Sequence, residues 1–288
     1  MDLRELRYFV AVAEELHFGR AAARLHMTQP PLSRAIKQLE NDLGHVLLHR
    51  SPGGVALTPA GVSLYDEART LLAQADQVRS RVAAAAGAAT ITIGTLADSA
   101  EQVGTRLAAA YRERHPGVQV RIREAGLTDP TAGLRAGLVD VALTRTPFDD
   151  TALVTHVLRT DPVGVVLRVD DPLAGRESLH SRELADRRWF QLPAGIDPIW
   201  RAYWSGPDGP RLDGQVVRTV HECLQAVLWN GTIGLAPLVH ALPDGLTSVP
   251  LTDMPPSHLV VAWSDAHSGP LIRSFARIAA AVYGSART

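Results

Sequence analysis

Hydrophobic positions in the first sixty residues recur at helical spacing. Leu3, Leu6, Phe9, Val10 and Ala13 form one apolar stripe, and a second short helical segment runs from about Phe18 to Leu25. In a third, from Gln29 to Leu43, Leu32, Ile36, Leu39 and Leu43 step by four, three and four, and Gly44 stands where such a helix stops. Two apolar runs follow, Val46 to Leu48 and Val55 to Leu57, with Ser51-Pro52-Gly53-Gly54 between them as a hairpin turn. Thr58 and Pro59 supply an N-cap and a first helical residue. Beyond them Leu64, Ala68, Leu71, Ala75, Val78 and Val82 form a heptad-like seam that outlasts a usual globular helix. A seam of that length predicts a dimer. Ala83 to Ala89, with Gly87 inside, reads as a linker.

From residue 90 the pattern turns to alternating strands and helices. Ile91, Ile93 and Leu96 mark a strand, Val103, Leu107 and Tyr111 a helix, and Val118-Val120-Ile122 a second strand. A helix over Thr131 to Leu138 and a strand over Val139 to Leu143 complete a βαβαβ order, which predicts a parallel sheet covered on both faces. Further strands are predicted at Val163 to Val169 and near Arg188 to Leu192, Gln215 to Thr219, Thr232 to Ala236 and His258 to Trp263. Helices are predicted near Pro198 to Trp204, His221 to Trp229 and Pro270 to Val282. The alternation is too long for one small unit and implies two α/β lobes.

Composition narrows the classes. Hydrophobic residues at 46% and charged residues at 20% supply a core and exclude a disordered chain. One cysteine, Cys223, excludes an intramolecular disulfide and fits a reducing compartment. The longest uncharged stretch, Cys223 to Pro243, is broken by Gln225, Asn230, Gly231, Gly234, Pro237 and His240, so no membrane span is expected. Asp2, Glu5, Glu14 and Glu15 interrupt the start as a signal peptide would not, and a cytoplasmic protein is the expectation.

Net charge is −1, so no global basic excess points to nucleic acid. Locally the balance differs. No acidic residue lies between Glu15 and Glu40, while Arg20, Arg24, Arg34 and Lys37 all do. Most charge runs are solvated faces, and geometry separates the two readings. On the third helix Pro30, Ser33, Arg34 and Lys37 share the face opposite the apolar set. Arginine and lysine donate to guanine edges and Gln29 pairs with adenine, while Thr28 and the helix start offer donors to phosphate. Two short helices with a tight turn and an outward polar face form the helix-turn-helix arrangement, and the hairpin carrying Arg50 reads as its wing.

At these residues the chain resembles the LysR-type transcriptional regulators. The string is Leu6, Phe9, Val10, Ala13, His17-Phe18-Gly19-Arg20-Ala21-Ala22, Leu25 and Thr28-Gln29-Pro30-Pro31-Leu32-Ser33, then Ile36, Leu39-Glu40, Leu43-Gly44, Leu47-Leu48, Arg50 and Leu57-Thr58-Ala60-Gly61. His17 and Gly19 stand where that family more often has hydroxyl residues, and Leu48 where Phe is common.

The resemblance implies an α+β multidomain protein. A winged helix-turn-helix over 1–58 is followed by a linker and dimerisation helix over 59–88. A two-lobed α/β effector domain over 89–288, similar to type 2 periplasmic binding proteins, completes the chain, with lobe I at 89–161 and 266–288 and lobe II at 162–265. The implied function is a sequence-specific transcription regulator, not an enzyme, that binds double-stranded DNA and senses a small-molecule inducer. Thr28, Gln29, Pro30, Ser33, Arg34, Lys37 and Arg50 would meet DNA. Thr95, Leu96, Ala97, Asp98, Leu127, Thr128, Arg145, Thr146, Gln191 and Leu192, at strand ends, would line the inducer cleft. Crossing segments near Thr160 to Val163 and Ser264 to Gly269 would let the lobes close. Self-association into a dimer and then a tetramer is expected, with RNA polymerase as a further partner. No cofactor or metal is expected.

Several alternatives stay open. The polar strand ends favour a polar or anionic inducer. Arg145 reads more readily as a surface ion-pair partner than as an anion ligand. Trp189, Phe190, Trp200, Tyr203 and Trp204 read as lobe core, with an apolar pocket wall as the less favoured reading. His45 with His49, and His221-Glu222-Cys223, hold metal-ligand types at spacings that do not converge. An α/β binding protein or enzyme, with the N-terminal region a mere interaction module, is the competing function.

Overall fold

The computed structural model describes residues 1–51, 54–85, 89–96, 104–206 and 214–284. They fall into two units, Met1–Ala86 and Gly87–Thr288. The first runs α1 (Leu3–Glu15), α2 (Phe18–Arg24), α3 (Gln29–Leu43), β1 (Leu48–Ser51), β2 (Gly54–Leu57) and α4 (Pro59–Ala85). Its core is Phe9, Val12, Ala21, Leu32, Ile36 and Leu39, all inaccessible to solvent. Burying each larger side chain contributes roughly 1.5–3 kcal/mol. Leu16 and His26, at φ +48° and +53°, turn the chain between α1 and α2 and between α2 and α3.

Three contacts fix the wing against the helices. Glu40 Oε1 of α3 accepts the Leu47 and Leu48 amides at 2.9 and 3.2 Å. Gly61 of α4 lies so close to the chain before β1 that a Cβ there would sit 2.1 Å from the Leu47 carbonyl oxygen. The Thr58 hydroxyl caps α4 by accepting the Gly61 amide at 3.0 Å and donates to the Val46 carbonyl at 2.8 Å. The hairpin residues 52–53 and the linker residues 86–88 lie outside the described residues.

The seam of α4 changes character along its length. Ala68 is fully buried, and Leu64 packs on the unit's own core. Leu71, Val78 and Val82 are 40%, 51% and 66% exposed.

In the second unit the elements are β3 (Thr90–Leu96), α5 (Gly104–Arg114), β4 (Gln119–Ala125), β5 (Val141–Thr146), β6 (Leu153–Asp161), β7 (Val163–Arg168), α6 (Pro198–Trp204), α7 (Val220–Asn230), β8 (Gly234–Pro237), β9 (Leu246–Pro250), β10 (Ser257–Ser264) and α8 (Pro270–Gly284). A five-stranded sheet in the order β4-β3-β5-β10-β6 carries α5 and α8 through Leu107, Tyr111, Phe275 and Ala279. A three-stranded sheet, β8-β7-β9, centres the other lobe.

Several expectations need correction. The sheet is mixed: β3 runs parallel to β4 and β5, and β10 runs antiparallel to β5 and β6. Residues 131–137 form turns instead of a helix. Asp129 captures the Thr131 and Gly133 amides at 3.1 and 2.7 Å, and Ala132, Gly133 and Gly137 adopt positive φ. The strands predicted near 188–192 and 215–219 reduce to isolated bridges, Trp189 to Ile233 and Gln191 to Val216. β6 and β9 were not predicted. β6 is an edge strand whose register slips at Leu259/Val260, so its alternation is broken. Val103 lies outside the described residues.

The lobe boundary also moves. β10 pairs with β5 and β6, so 257–264 belong to lobe I. The lobes are crossed at 161–163 and at 251–256, not at 264–269.

Candidate nucleic-acid interface and internal cavity

The apolar stripe of α3 points into the first unit and turns the other face to solvent. Thr28, Gln29, Pro30, Arg34 and Lys37 are exposed and Ser33 is half-buried. Thr28 is the N-cap of α3 but makes no side-chain capping bond, and Pro30 and Pro31 carry no N–H. The donors left at this helix start are the Thr28 hydroxyl and the Gln29 amide.

The four cations of the acid-free window divide in two. Arg24 pairs with Glu14 at 2.7 Å, and Arg20 with Glu15 at 3.3 Å, both tying α2 back to α1. Arg34 and Lys37 have no ion-pair or hydrogen-bond partner among the described residues. Arg50 lies in β1 opposite Val55, and its side chain is outside the described residues. The second helix is capped by an unusual group: His17 Nδ1 accepts the Gly19 and Arg20 amides at 3.0 and 3.2 Å.

In the second unit a cavity of about 70 Å³ lies between the lobes. Lobe I supplies Leu96, Leu127 and Arg145, and the remaining wall is lobe II. The positions expected to line the inducer cleft fall in adjacent pairs along the chain. In the strands, at Thr95-Leu96 and Arg145-Thr146, neighbours point to opposite sides, so only one of a pair faces a given cavity. Leu96, Leu127, Arg145 and Leu192 line it, whereas Thr95, Thr128, Thr146 and Gln191 do not. Thr95 is buried beside Ile93 and Tyr111 under α5, and Thr128 is exposed. Gln191 is buried outside the lining, its backbone bridging Gln215 and Val217 at 2.8 Å each. Ala97 and Asp98 lie outside the described residues. In Thr95-Leu96, Leu127-Thr128 and Gln191-Leu192 the apolar member lines the cavity, and in Arg145-Thr146 the arginine does, so the polar lining is Arg145 from lobe I and His240 from lobe II.

The aromatic cluster accounts for much of what faces the cavity instead. Phe190, Trp200 and Trp204 belong to the lobe II core and also form its wall, so core and pocket wall are one surface. Periodicity missed them as pocket residues because each is also core. Cys223 joins the wall from α7, and burial pushes its thiol up to about 12, leaving it a neutral small hydrophobe. Gly234 admits the Phe190 ring, which would lie 2.0 Å from a Cβ there.

Arg145 is buried, which corrects its surface assignment. It is 3% exposed, and its Nη1 meets Asp161, 2% exposed, at 2.8 Å. Asp161 also accepts from Arg159 Nε and Nη2 at 2.7 and 3.0 Å. This cluster sits where the chain crosses between lobes. Among the described residues no group of three or more metal-ligand types converges, and no helix is long and apolar enough to cross a membrane.

Comparison with known proteins follows the same division. The LysR substrate binding domain family matches residues 84–283, and the family described as bacterial regulatory helix-turn-helix protein, lysR family, matches residues 3–62. The HTH-type transcriptional regulator AlsR of Bacillus subtilis is 36% identical over 188 residues, 65% of this chain and 62% of that protein. The alignment thus spans less than two thirds of AlsR. The Hca operon transcriptional activator HcaR of Escherichia coli is 30% identical over 286 residues, 96% of this chain and 97% of that one. The crystal structure of full-length BenM is similar with a TM-score of 0.56 at 28% identity, covering 100% of this chain and 98% of that chain.

Proposed function

This chain belongs to the LysR family, and from that premise we propose that it is a sequence-specific DNA-binding transcription regulator whose second unit senses a small molecule. The observation that carries the reading is the division of α3. Leu32, Ile36 and Leu39 are buried, and Arg34 and Lys37, on the opposite exposed face, have no partner among the described residues. A cation that holds no protein partner breaks no ion pair when it meets a phosphate or a guanine edge. The proposed DNA contacts are Thr28, Gln29, Pro30, Ser33, Arg34 and Lys37, with Arg50 on the wing.

Domain limits of 1–58, 59–88 and 89–288 go with this reading. The exposed stretch of α4, Leu71, Val78 and Val82, is its proposed dimer seam. A two-fold dimer presents two α3 helices, so the target is an interrupted palindrome. RNA polymerase is then a partner at the promoter, and the protein acts in the cytoplasm. Inducer enters between the lobes and acts through its different affinity for their open and closed arrangements.

The test is binding of the purified chain to the DNA flanking its own reading frame. Footprinting is expected to show two protected half-sites, both lost in Arg34→Ala. Equal protection by wild type and variant removes α3 as the reading helix.

A further inference from the structure

We propose that His17 is a further DNA contact, a neutral imidazole that donates from Nε2 to a backbone phosphate beside the half-site read by α3. The contact rests on the DNA-binding reading of α3 and adds to it a donor on α2.

The cap fixes the tautomer. His17 Nδ1 accepts the Gly19 and Arg20 amides at 3.0 and 3.2 Å. A ring nitrogen that accepts carries no proton, so in the neutral imidazole the hydrogen sits on Nε2. The residue is exposed, and Nε2 has no partner among the described residues. The ring thus takes up two amides at the start of α2 and offers one N–H of its own.

The position of the ring points to the acceptor. α2 is the first helix of the helix-turn-helix pair, the one that crosses the DNA backbone while the second enters the groove. A Cβ on Gly19 would lie 2.9 Å from His17 Cε1 and 4.0 Å from Gln29 Oε1. Cε1 joins the two ring nitrogens, so the edge that bears Nε2 and the Gln29 carboxamide border the same gap. The donor therefore stands next to a proposed base contact. The arginines of α2 are held elsewhere, Arg20 by Glu15 and Arg24 by Glu14. A neutral N–H suits a phosphate oxygen, which accepts from uncharged donors as well as from cations.

Gel-shift titration of the full chain tests the contact. The probes are the DNA flanking its own reading frame, cut to the segment that footprinting protects, and a duplex of arbitrary sequence. His17→Ser and His17→Asp both keep an oxygen for the cap, so the melting temperature is expected to hold. His17→Ser lacks the reach of the ring and is expected to weaken binding about tenfold on both duplexes, since a phosphate contact carries no sequence information. His17→Asp sets a carboxylate against the phosphate and is expected to weaken it further. A neutral donor displaces no counterion, so His17→Ser is expected to keep the wild-type slope of log affinity against log salt, whereas Lys37→Ala lowers it by about one for each head. Methylphosphonate at each phosphate in turn locates the acceptor. One position in each half-site is expected to cost the wild type about tenfold and His17→Ser nothing. Equal loss in both proteins at every position overturns the contact. So does wild-type affinity in both His17 variants, or a fall in melting temperature that matches the loss of binding, which makes His17 a cap only. Those results leave α3 as the reading helix wherever Arg34→Ala abolishes protection. A wild-type chain that binds neither duplex overturns the DNA-binding reading, and the contact falls with it.

Discussion

The two units place their chemistry on opposite sides of their cores. In the first, the core lies behind α3, and the outer face carries Arg34 and Lys37 with no partner among the described residues. In the second, Phe190, Trp200 and Trp204 are core and cavity wall at once, and Arg145 at that wall already pairs with Asp161. An outward face can be cut away with little loss of stability. An inward wall cannot, because the side chains that would meet a ligand also hold the lobe together.

The comparison breaks most readily at Asp161. Asp161→Ala removes the buried carboxylate that Arg145 and Arg159 share, and is expected to cost about 3–5 kcal/mol. Hydrogen exchange should show that loss at core amides of the second unit only. Adding Arg145→Met should recover a large part, and a lack of recovery would mean that the carboxylate matters for other reasons. Gly61→Ala is the counterpart in the first unit. Its Cβ meets the Leu47 carbonyl, and the expected cost is about 2–3 kcal/mol, confined to exchange in residues 1–86. Arg34→Ala comes next. It should weaken operator binding by about 1–3 kcal/mol in a gel-shift titration and leave the melting temperature in place. Last is Thr128→Val. Thr128 is exposed and does not line the cavity, so thermal stability should change by less than about 0.5 kcal/mol. A larger loss of stability would mean that the Thr128 hydroxyl holds the turn after β4.

The same contrast explains what the sequence disclosed. The α3 face was legible because one helix carries it, and a 3.6-residue repeat separates Leu32, Ile36 and Leu39 from Arg34 and Lys37 without reference to any other element. The strands β3, β5 and β7 and the helices α6, α7 and α8 were legible for the same local reason. The cavity was legible only as places along the chain. Which member of Thr95-Leu96 or Gln191-Leu192 faces inward depends on strand register, and register is set by partners far away in sequence. Glu40 was visible only as part of a resemblance. Its bond to the Leu47 and Leu48 amides needs the turn that brings β1 back beside α3. The turns at 131–137 were hidden because Asp129 outcompetes a sequence with ordinary helical spacing.

The His17 cap bears on the order in which substitutions can accumulate. A Cβ at Gly19 would stand 2.9 Å from His17 Cε1, so the ring that caps α2 occupies the space of a side chain two residues on. Gly19→Ser taken first forces the ring off the two amides it holds. His17→Ser taken first keeps a capping oxygen and vacates the space, after which Gly19→Ser meets no ring. The two positions are therefore not independent characters. A lineage moving between the glycine-and-imidazole arrangement and a pair of hydroxyls has one favourable path, in which position 17 changes before position 19, and the return journey runs in the reverse order.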